Sequence, residues 1–540
     1  MTRLVPIRSS YQDCVAAFRW PRPKAFNIAG AVCDRHADRS PDATALIVET
    51  ETGDVARHSF IQIQRAANRL ANGIQALGVR RGDRVAIILS QGLECLVAHV
   101  AAYKVGAIAI PLSPLFGPEG LCHRLGNSGT RLAVTNREGC RAIAAVRDSL
   151  PALETILSVD GEEAGARDFW RTLREGRDRF ETLATAASDP ALLIYTSGTT
   201  GLAKGALHSH RTLLGHLPGV EFSLGFFPQP GDLYWSPADW SWVAGLLDVL
   251  LPSLYHGIPV VARRFAKFDP EAAFDLMARH GVRNALITPT ALKQMRQVAP
   301  ARCPEVDLRS LCSGGEPVGE ALLDWGRAAL GLTINEVYGQ TEANLIIGGN
   351  ADILPPRSGA TGRAIPGHIV KIVDAAGRVL PSGVSGQIAL KRPDPVMFVK
   401  YWEDPAATAA KFAGDWCLTG DLGVMDDDGY ITFEGRSDDV INASGYRIGP
   451  VEIESCLMRH PKVALVGVVG KPDAARGEIV KAFVVPADGV SPSKSLAAEL
   501  REFVRERLAA YQYPREIAFL EEMPVTVSGK IRRRALRDLA

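Results

Sequence analysis

A loop between residues 195 and 205 carries the clearest chemical signal in the chain. It consists of Tyr195-Thr-Ser-Gly-Thr-Thr-Gly-Leu-Ala-Lys-Gly205 and follows an apolar run at 191–194. Its glycines allow a tight turn with exposed backbone N–H groups, while its hydroxyls add donors and Lys204 adds a positive charge. This chemistry suits a polyphosphate, and a flexible hydroxyl-rich surface loop is the alternative. Because two residues separate Gly201 from Lys204, the loop differs from the common nucleotide P-loop.

A second polar cluster is Asn335-Glu-Val-Tyr-Gly-Gln-Thr-Glu342. Tyr338 could stack on an adenine, and Glu336 could accept a hydrogen bond from the adenine amino group. Thr341 could donate to a phosphate, and Glu342 could hold Mg²⁺ against phosphates, because Mg²⁺ binds through one or two carboxylates plus substrate oxygens. An ordinary polar turn is the alternative interpretation of this segment alone.

Four further segments have the composition of ligand-binding turns. Ser313-Gly-Gly-Glu-Pro317 follows a predicted strand, where the ligand crevices of open sheets occur. In Thr419-Gly-Asp421 the carboxylate suits two ribose hydroxyls, and Arg436 could serve the same sugar. Ser444-Gly-Tyr-Arg-Ile-Gly-Pro450 contains Arg447, which could neutralise phosphate, and Pro524-Val-Thr-Val-Ser-Gly-Lys-Ile531 presents Lys530 on a short turn. Each is too short to be informative alone.

The composition is that of a folded protein of several domains or subdomains. The chain has 540 residues, 46% of them hydrophobic, with 51 glycines and 34 prolines. Its net charge of +1 gives no electrostatic indication of nucleic acid or a membrane surface. The nine cysteines are scattered without a Cys-x-x-Cys pair, which argues against a disulfide scaffold or zinc site. No secretory signal or membrane span is predicted, so we expect a soluble cytoplasmic protein.

The pattern of strands and helices predicts an α/β fold with three regions. Strands at 84–90, 107–111 and 131–135 alternate with helices such as 93–104, which indicates βαβ units and a largely parallel sheet. Short alternating strands between about 360 and 437 predict a small β-rich subdomain within a domain spanning 1–437. The last hundred residues, 438–540, form an α+β pattern, and we place a hinge at Asp438.

All six motifs occur in the order typical of the adenylate-forming (AMP-binding) enzymes, and the resemblance spans essentially the whole chain. The stretch 436–454 and the segment Asp232-Leu-Tyr-Trp-Ser-Pro-Ala-Asp-Trp-Ser-Trp242 most resemble acetyl- and medium-chain acyl-CoA synthetases. The resemblance implies an AMP-forming acid–thiol ligase that uses ATP, Mg²⁺ and CoA. It also implies a mobile C-terminal lid domain that rotates about the hinge between two half-reactions.

The resemblance also implies roles for individual residues. The ATP-binding set is Thr196, Ser197, Gly198, Thr199, Thr200, Lys204, Gly315, Glu316, Pro317, Glu336, Tyr338, Asp421 and Arg436. The catalytic set is Thr341, Glu342, Arg447 and Lys530, with Glu342 also the metal ligand. Ser444 and Gly445 line the tunnel for the pantetheine arm of CoA.

The resemblance also suggests the size of the acid. Acetate-specific relatives carry a tryptophan where this chain has Gly339 and a valine where it has Gly314. We therefore expect an acyl pocket, walled by Trp240 and Trp242, that admits a medium-chain, branched or aryl acid. Each extra buried methylene contributes roughly 0.8 kcal/mol to binding.

Two positions depart from the family pattern. Ala203 replaces the usual proline before Lys204, and Val525 replaces a lysine of the terminal signature. The second departure weakens the case for a lysine acetyltransferase acting on Lys530, which stays a candidate partner. A homodimer is the candidate assembly, and fatty acid metabolism the candidate setting.

Three other functions are considered. The first is a ligase that hands its acyl group to a carrier protein, although the chain ends ten residues after Lys530 with no fused carrier domain. The second is a luciferase-type oxygenase of the same fold. The third is a non-catalytic nucleotide-binding homologue, and the retention of Lys530, Glu342, Asp421 and Arg447 weighs against it.

Overall fold

A computed structural model describes residues 3–163, 165–196, 203–299, 303–436, 439, 441–443, 446–473, 477–508, 513–526 and 530–540. Two large mixed sheets, flanked by helices, account for most of the chain up to residue 364. An antiparallel sheet follows between 370 and 436, and a fourth sheet lies between 441 and 519. The predicted α/β fold class is confirmed.

The first large sheet carries the strands on either side of the 195–205 loop. Its eight strands lie in the order Lys400–Tyr401, Lys204–Ser209, Pro190–Thr196, Ile108–Pro111, Arg84–Ile88, Leu132–Thr135, Thr155–Ser158 and Arg167–Asp168. The strands from Pro190–Thr196 to Arg167–Asp168 run parallel, as predicted. Lys204–Ser209 instead turns back antiparallel on Pro190–Thr196, so the loop joins the two strands of a hairpin.

The second large sheet contains the 335–342 motif. Its nine strands lie in the order Arg363–Ala364, Ala343–Gly348, Asn335–Gln340, Ser310–Gly314, Asn284–Leu286, Tyr234–Trp235, Val260–Ala262, Thr44–Glu49 and Val55–Ser59. The central strands are parallel. The two pairings at the Arg363–Ala364 edge and the one pairing at the Val55–Ser59 edge are antiparallel. Thr341 and Glu342 therefore form the turn between two antiparallel strands, Asn335–Gln340 and Ala343–Gly348.

The two smaller sheets follow most strands of the large sheets in the chain. The third sheet contains Val370–Val373, Gly386–Lys391, Trp416–Met425, Phe412–Ala413 and Ile431–Arg436. The fourth contains Tyr446–Ile448, Ile441–Ala443, Gly477–Pro486, Val463–Asp473 and Glu516–Phe519. Asp438 lies outside the described residues, and the domain boundary at 437/438 stays a prediction.

Helices cover the sheets, and their ends follow the local sequence. The α-helices are Tyr11–Ala17, Arg35–Arg39, Phe60–Ala76, Leu93–Lys104, Pro118–Ser128, Arg137–Ala144, Phe169–Glu175, Thr212–Ser223, Leu251–His256, Pro270–His280, Pro289–Arg296, Glu320–Ala329, Pro405–Ala410, Pro450–Leu457, Lys494–Arg505 and Arg533–Asp538. Gly30–Asp34 and Ala244–Leu250 are π-helical, and Arg147–Ser149 is a 3₁₀ turn. Asp269 caps its helix as predicted, because its carboxylate accepts from the N–H groups of Glu271 and Ala272.

The core is continuous beneath the first two sheets. Helix Leu93–Lys104 is buried on almost every side, and the neighbouring strands Arg84–Ile88 and Ile108–Pro111 are apolar on both faces. Both features follow from a parallel sheet covered on each face. Among the described residues, no helix combines the length and apolar character needed to cross a bilayer.

Candidate active site

The predicted ribose carboxylate lies at the centre of a hydrogen-bonded network. The Tyr338 hydroxyl donates to Asp421 Oδ2 at 2.6 Å, and Arg436 Nη1 lies 3.3 Å from Asp421 Oδ1. Asp421 and Arg436 are opposite each other on paired antiparallel strands. Burial raises the pKa of Asp421, while Arg436, Tyr338, Lys411 and Lys530 act to lower it. The structure thus brings Tyr338, Asp421 and Arg436 together, and their nucleotide-binding roles stay predictions.

Lys411 and Gln340 complete this network and were missed by sequence reasoning. Lys411 Nζ donates to Gln340 Oε1 at 2.8 Å and to the carbonyls of Leu418 and Thr419 at 3.2 and 3.1 Å. Gln340 Nε2 donates in turn to the Thr419 carbonyl at 2.9 Å and approaches Asp421 at 3.4 Å. Lys411 therefore ties the 335–342 motif to the Asp421 strand. No sequence pattern marks it, because its side-chain partner Gln340 lies 71 positions away in the chain.

Glu342 is buried in the turn that follows. Its side chain is 7% exposed, Oε1 accepts from the Tyr401 hydroxyl, and its backbone carbonyl accepts from Phe398 N at 2.8 Å. Thr341, beside it, is half-buried in the same turn. Within the described parts of the chain, no three His, Cys, Asp or Glu side chains cluster to hold a metal. A lone buried carboxylate fits Mg²⁺, which takes few protein ligands and completes its shell with phosphates and water.

The two ends of the phosphate-loop segment are held in register. Thr196 is opposite Lys204 in the hairpin, and Thr196 Oγ1 lies 3.4 Å from the Lys204 carbonyl. The Lys204 side chain is 43% exposed, with Nζ 3.7 Å from Asp404 Oδ2 and 5.5 Å from the centre of the Tyr401 ring. Lys204 and Glu342 thus both contact Tyr401. Ser197, Gly198, Thr199 and Thr200 lie outside the described residues.

The predicted adenine-binding residues occupy two adjacent strand ends. Gly315, Glu316 and Pro317 follow strand Ser310–Gly314, which pairs in parallel with the strand of Glu336 and Tyr338. Gly315 has a φ of +86°, a conformation that favours glycine. The Glu316 carboxylate accepts from Thr290 Oγ1 at 2.9 and 3.0 Å.

The Glu336 carboxylate accepts hydrogen bonds from two groups of the protein. Its carboxylate accepts from Thr361 Oγ1 at 3.2 Å and from Val318 N at 3.4 Å. Burial raises the pKa of Glu336 from an ordinary 4.5 to about 7, against the lowering effect of these two bonds. A bond from Glu336 to the adenine amino group stays a prediction.

Lys530 of the C-terminal region lies over the Gly315 turn. A Cβ placed on Gly315 would be 3.8 Å from Lys530 Nζ. The backbone of Lys530 is held by Thr526, whose hydroxyl accepts from Lys530 N at 3.1 Å and whose N–H donates to the Lys530 carbonyl at 2.7 Å. The last predicted catalytic residue therefore faces the site formed by the first three sheets.

The acyl-pocket glycines have a packing role that sequence comparison does not show. A Cβ on Gly314 would overlap the Val337 carbonyl, and one on Gly339 would lie 2.6 Å from the Cα of Asn344. Leu345, next along, has a positive φ of 49°. Neighbouring backbone therefore lies where a Cβ at either position would be, and the wider acyl pocket stays a prediction.

The two tryptophans differ in exposure. Trp240 is 1% exposed and belongs to the main core, whereas Trp242 is half-buried and packs edge-on against Phe116 at 6.1 Å. Trp242 is thus the more accessible of the two as a pocket wall. Of the remaining predicted residues, Arg447 lies on strand Tyr446–Ile448 opposite Asn442. Ser444 and Gly445 lie outside the described residues.

Comparison with known proteins agrees with this architecture over almost the whole chain. The family model for the AMP-binding enzyme matches residues 33–402, and that for the AMP-binding enzyme C-terminal domain matches residues 452–530. Human mitochondrial acyl-coenzyme A synthetase ACSM4 is 35% identical over 96% of this chain and 91% of its own length. Acetyl-coenzyme A synthetase of Bacillus subtilis is 34% identical over 95% and 90%.

A solved structure supports the same assignment. The anthranilate CoA ligase AuaEII in complex with anthranoyl-AMP superposes with a TM-score of 0.89 at 28% identity, covering 96% of this chain and 98% of that one. Sequence and structure agree over the N-terminal sheets and the C-terminal region alike. This chain belongs to the AMP-binding enzyme family and is an acyl-CoA synthetase.

Proposed function

We propose that this protein joins a carboxylic acid larger than acetate (medium-chain, branched or aryl) to CoA, using ATP and releasing AMP and pyrophosphate. The observation that carries the proposal is the position of Lys530 over Gly315, beside the Tyr338–Asp421–Arg436 network. A lysine from the C-terminal region thereby joins groups suited to a nucleotide. The human acyl-coenzyme A synthetase and the anthranilate CoA ligase among the relatives support the substrate class.

In the first half-reaction a carboxylate oxygen attacks the α-phosphorus of ATP. The new bond joins acyl oxygen to phosphorus, and the bond to pyrophosphate breaks. The protein has mainly to position two anions and neutralise charge on the phosphoryl oxygens. We assign this task to Lys530, Arg447, Thr341 and the 196–204 loop with Lys204.

The nucleotide itself is held by the network described above. Asp421 and Arg436 bind the ribose hydroxyls, and Tyr338 stacks on the adenine while its hydroxyl fixes Asp421. Gly315, Glu316, Pro317 and Glu336 form the other side of the adenine site. Glu342 would hold Mg²⁺, and a bound Mg²⁺ would supply positive charge that offsets the phosphate charge.

In the second half-reaction the CoA thiol attacks the acyl carbon, a C–S bond forms, AMP leaves and the thiol proton is lost. The C-terminal region rotates about Asp438 for this step, which withdraws Lys530 and brings Ser444 and Gly445 beside the pantetheine arm. One lid thereby serves two reactions. The remaining expectations are a cytoplasmic enzyme of fatty acid metabolism, a homodimer, and modification of Lys530 by an acetyltransferase.

The test is thioester formation from straight, branched and aromatic acids of about two to twelve carbons, each longer chain adding roughly 0.8 kcal/mol per buried methylene. Pyrophosphate release is followed in parallel. Thioester formation that peaks above three carbons is the expected result, and a peak at acetate would refute the size assignment. Pyrophosphate without thioester would indicate a carrier-protein acceptor, and the absence of both would favour a non-catalytic homologue.

A further inference from the structure

Tyr401 occupies a fixed position between the phosphate-loop hairpin and the Glu342 turn. It lies on the short strand Lys400–Tyr401, directly opposite Ala206 of the hairpin. Tyr401 N donates to Thr408 Oγ1 at 2.9 Å, and the next residue, Trp402, donates through its N–H to the Gly205 carbonyl at 2.7 Å. The backbone that carries this side chain is therefore held from both sides.

The side chain contacts two groups of the proposed ATP site in different ways. Its hydroxyl donates to Glu342 Oε1, and its ring lies 5.5 Å from Lys204 Nζ, within the range of a cation–π contact. Asp404, three residues further on, lies 3.7 Å from the same Lys204 Nζ. A single aromatic residue thus lies between the loop lysine and the carboxylate assigned to Mg²⁺.

Tyr401 and Glu342, the two partners of this hydrogen bond, are both buried. Tyr401 is 6% exposed and Glu342 is 7% exposed. The hydroxyl is the donor in this hydrogen bond, because an ionised carboxylate only accepts. The bond engages Oε1, and Oε2 is the oxygen that can take a cation. A hydrogen-bonded partner of this kind orients a metal-binding carboxylate.

We propose that Tyr401 is a positioning residue for ATP: its hydroxyl fixes the Glu342 carboxylate for Mg²⁺, and its ring supports Lys204 at the phosphates. The proposal rests on the proposed function. It predicts two contributions of Tyr401 to ATP binding. The contribution of the hydroxyl depends on Mg²⁺, and the contribution of the ring does not.

Calorimetric titration of the full-length protein with ATP, in Mg²⁺ and in EDTA, tests this separation. Tyr401→Phe should weaken binding in Mg²⁺ by about tenfold or more, as loss of a ligand-orienting partner does, and leave binding in EDTA unchanged. Tyr401→Leu should weaken binding in EDTA as well. Tyr430→Phe is the matched control, because Tyr430 is also 6% exposed and its hydroxyl donates to the Pro355 carbonyl at 2.7 Å.

A double-mutant cycle removes any ambiguity from a general loss of packing. In a Glu342→Gln background, Tyr401→Phe should cost no further affinity for ATP with Mg²⁺, because the carboxylate it positions is gone. The proposal would be overturned if Tyr401→Phe bound ATP as well as the wild type does in Mg²⁺, or if it lost as much affinity in EDTA as in Mg²⁺. In either case, ATP binding by the wild-type protein would leave the proposed function standing. Wild-type protein that binds no ATP with Mg²⁺ would overturn both.

Discussion

Lys530 and Gly315 are 215 positions apart in the chain, yet the lysine side chain lies over the glycine, with Nζ 3.8 Å from where a Cβ would be. The charge of Lys530 also reaches Asp421, where it opposes the effect of burial on the carboxyl pKa. Lys530, a residue of the C-terminal region, therefore contributes positive charge to a site formed by the first three sheets. This arrangement supports the role proposed for Lys530 in the adenylation half-reaction.

The Tyr338 hydroxyl should matter for ATP binding more than for chemistry. Tyr338→Phe removes the 2.6 Å bond to Asp421 and leaves a buried carboxylate short of a donor. We expect the KM for ATP to rise about tenfold, corresponding to roughly 1.4 kcal/mol, with a small change in kcat. The measurement is initial-rate kinetics of pyrophosphate release. Tyr11→Phe, whose hydroxyl bonds the Ala364 carbonyl at 2.7 Å, is the control, and an unchanged KM in Tyr338→Phe would contradict the network.

Lys411 should support both stability and nucleotide binding. Lys411→Met removes the lysine donor to the Gln340 amide oxygen and to the Leu418 and Thr419 carbonyls, the last of which still accepts from Gln340 Nε2. A loss of about 2–3 kcal/mol in the free energy of unfolding is expected, together with a higher KM for ATP. Thermal unfolding and pyrophosphate-release kinetics measure the two effects. The exposed Lys391, at the end of strand Gly386–Lys391, is the control as Lys391→Met. Equal effects of the two substitutions would count against a specific role for Lys411.

Glu336 should make stability depend on pH. Its pKa rises from 4.5 to about 7 on folding, so the folded state holds a proton that the unfolded chain releases. The stability contributed by this group is full below pH 4.5 and is lost as pH rises through about 7, by up to about 3 kcal/mol.

The variant Glu336→Gln isolates this effect. Its stability relative to the wild type should improve steadily from about pH 5 to about pH 8, because the variant has no carboxyl to ionise. Unfolding by heat, followed by calorimetry over this pH range, is the measurement. Glu522→Gln, at an exposed position, should show no such trend. A constant difference between Glu336→Gln and the wild type across the range would show that the carboxyl does not titrate there.

Local elements could be predicted from the sequence because their causes are local. Helix Leu93–Lys104 begins and ends where its apolar run does, and the Asp269-Pro270 cap follows from side-chain and ring geometry. The predicted site residues Tyr338, Asp421 and Arg436 do meet. These three residues were predicted to share a site from the order of the family motifs and not from any local pattern in the sequence.

The parts that could not be predicted depend on strand pairing over long distances. The contact between Tyr401 and Glu342 exists because strand Lys400–Tyr401 returns to the phosphate-loop hairpin, and no spacing rule signals that. The surroundings of Gly339 depend on the backbone of Asn344 and the positive φ of Leu345. Sequence comparison gave those glycines a pocket role, whereas the fold also gives them a packing role.

The measurement that tests the central claim most directly separates the two half-reactions in Lys530→Ala. Pyrophosphate release from ATP and acid should fall by about 10²–10³-fold, as expected for loss of a charge that stabilises the transition state. Conversion of a supplied acyl-adenylate to thioester should be unchanged, and Lys494→Ala, at an exposed position in the same region, should leave both rates intact. Equal loss of both half-reactions in Lys530→Ala would contradict the account.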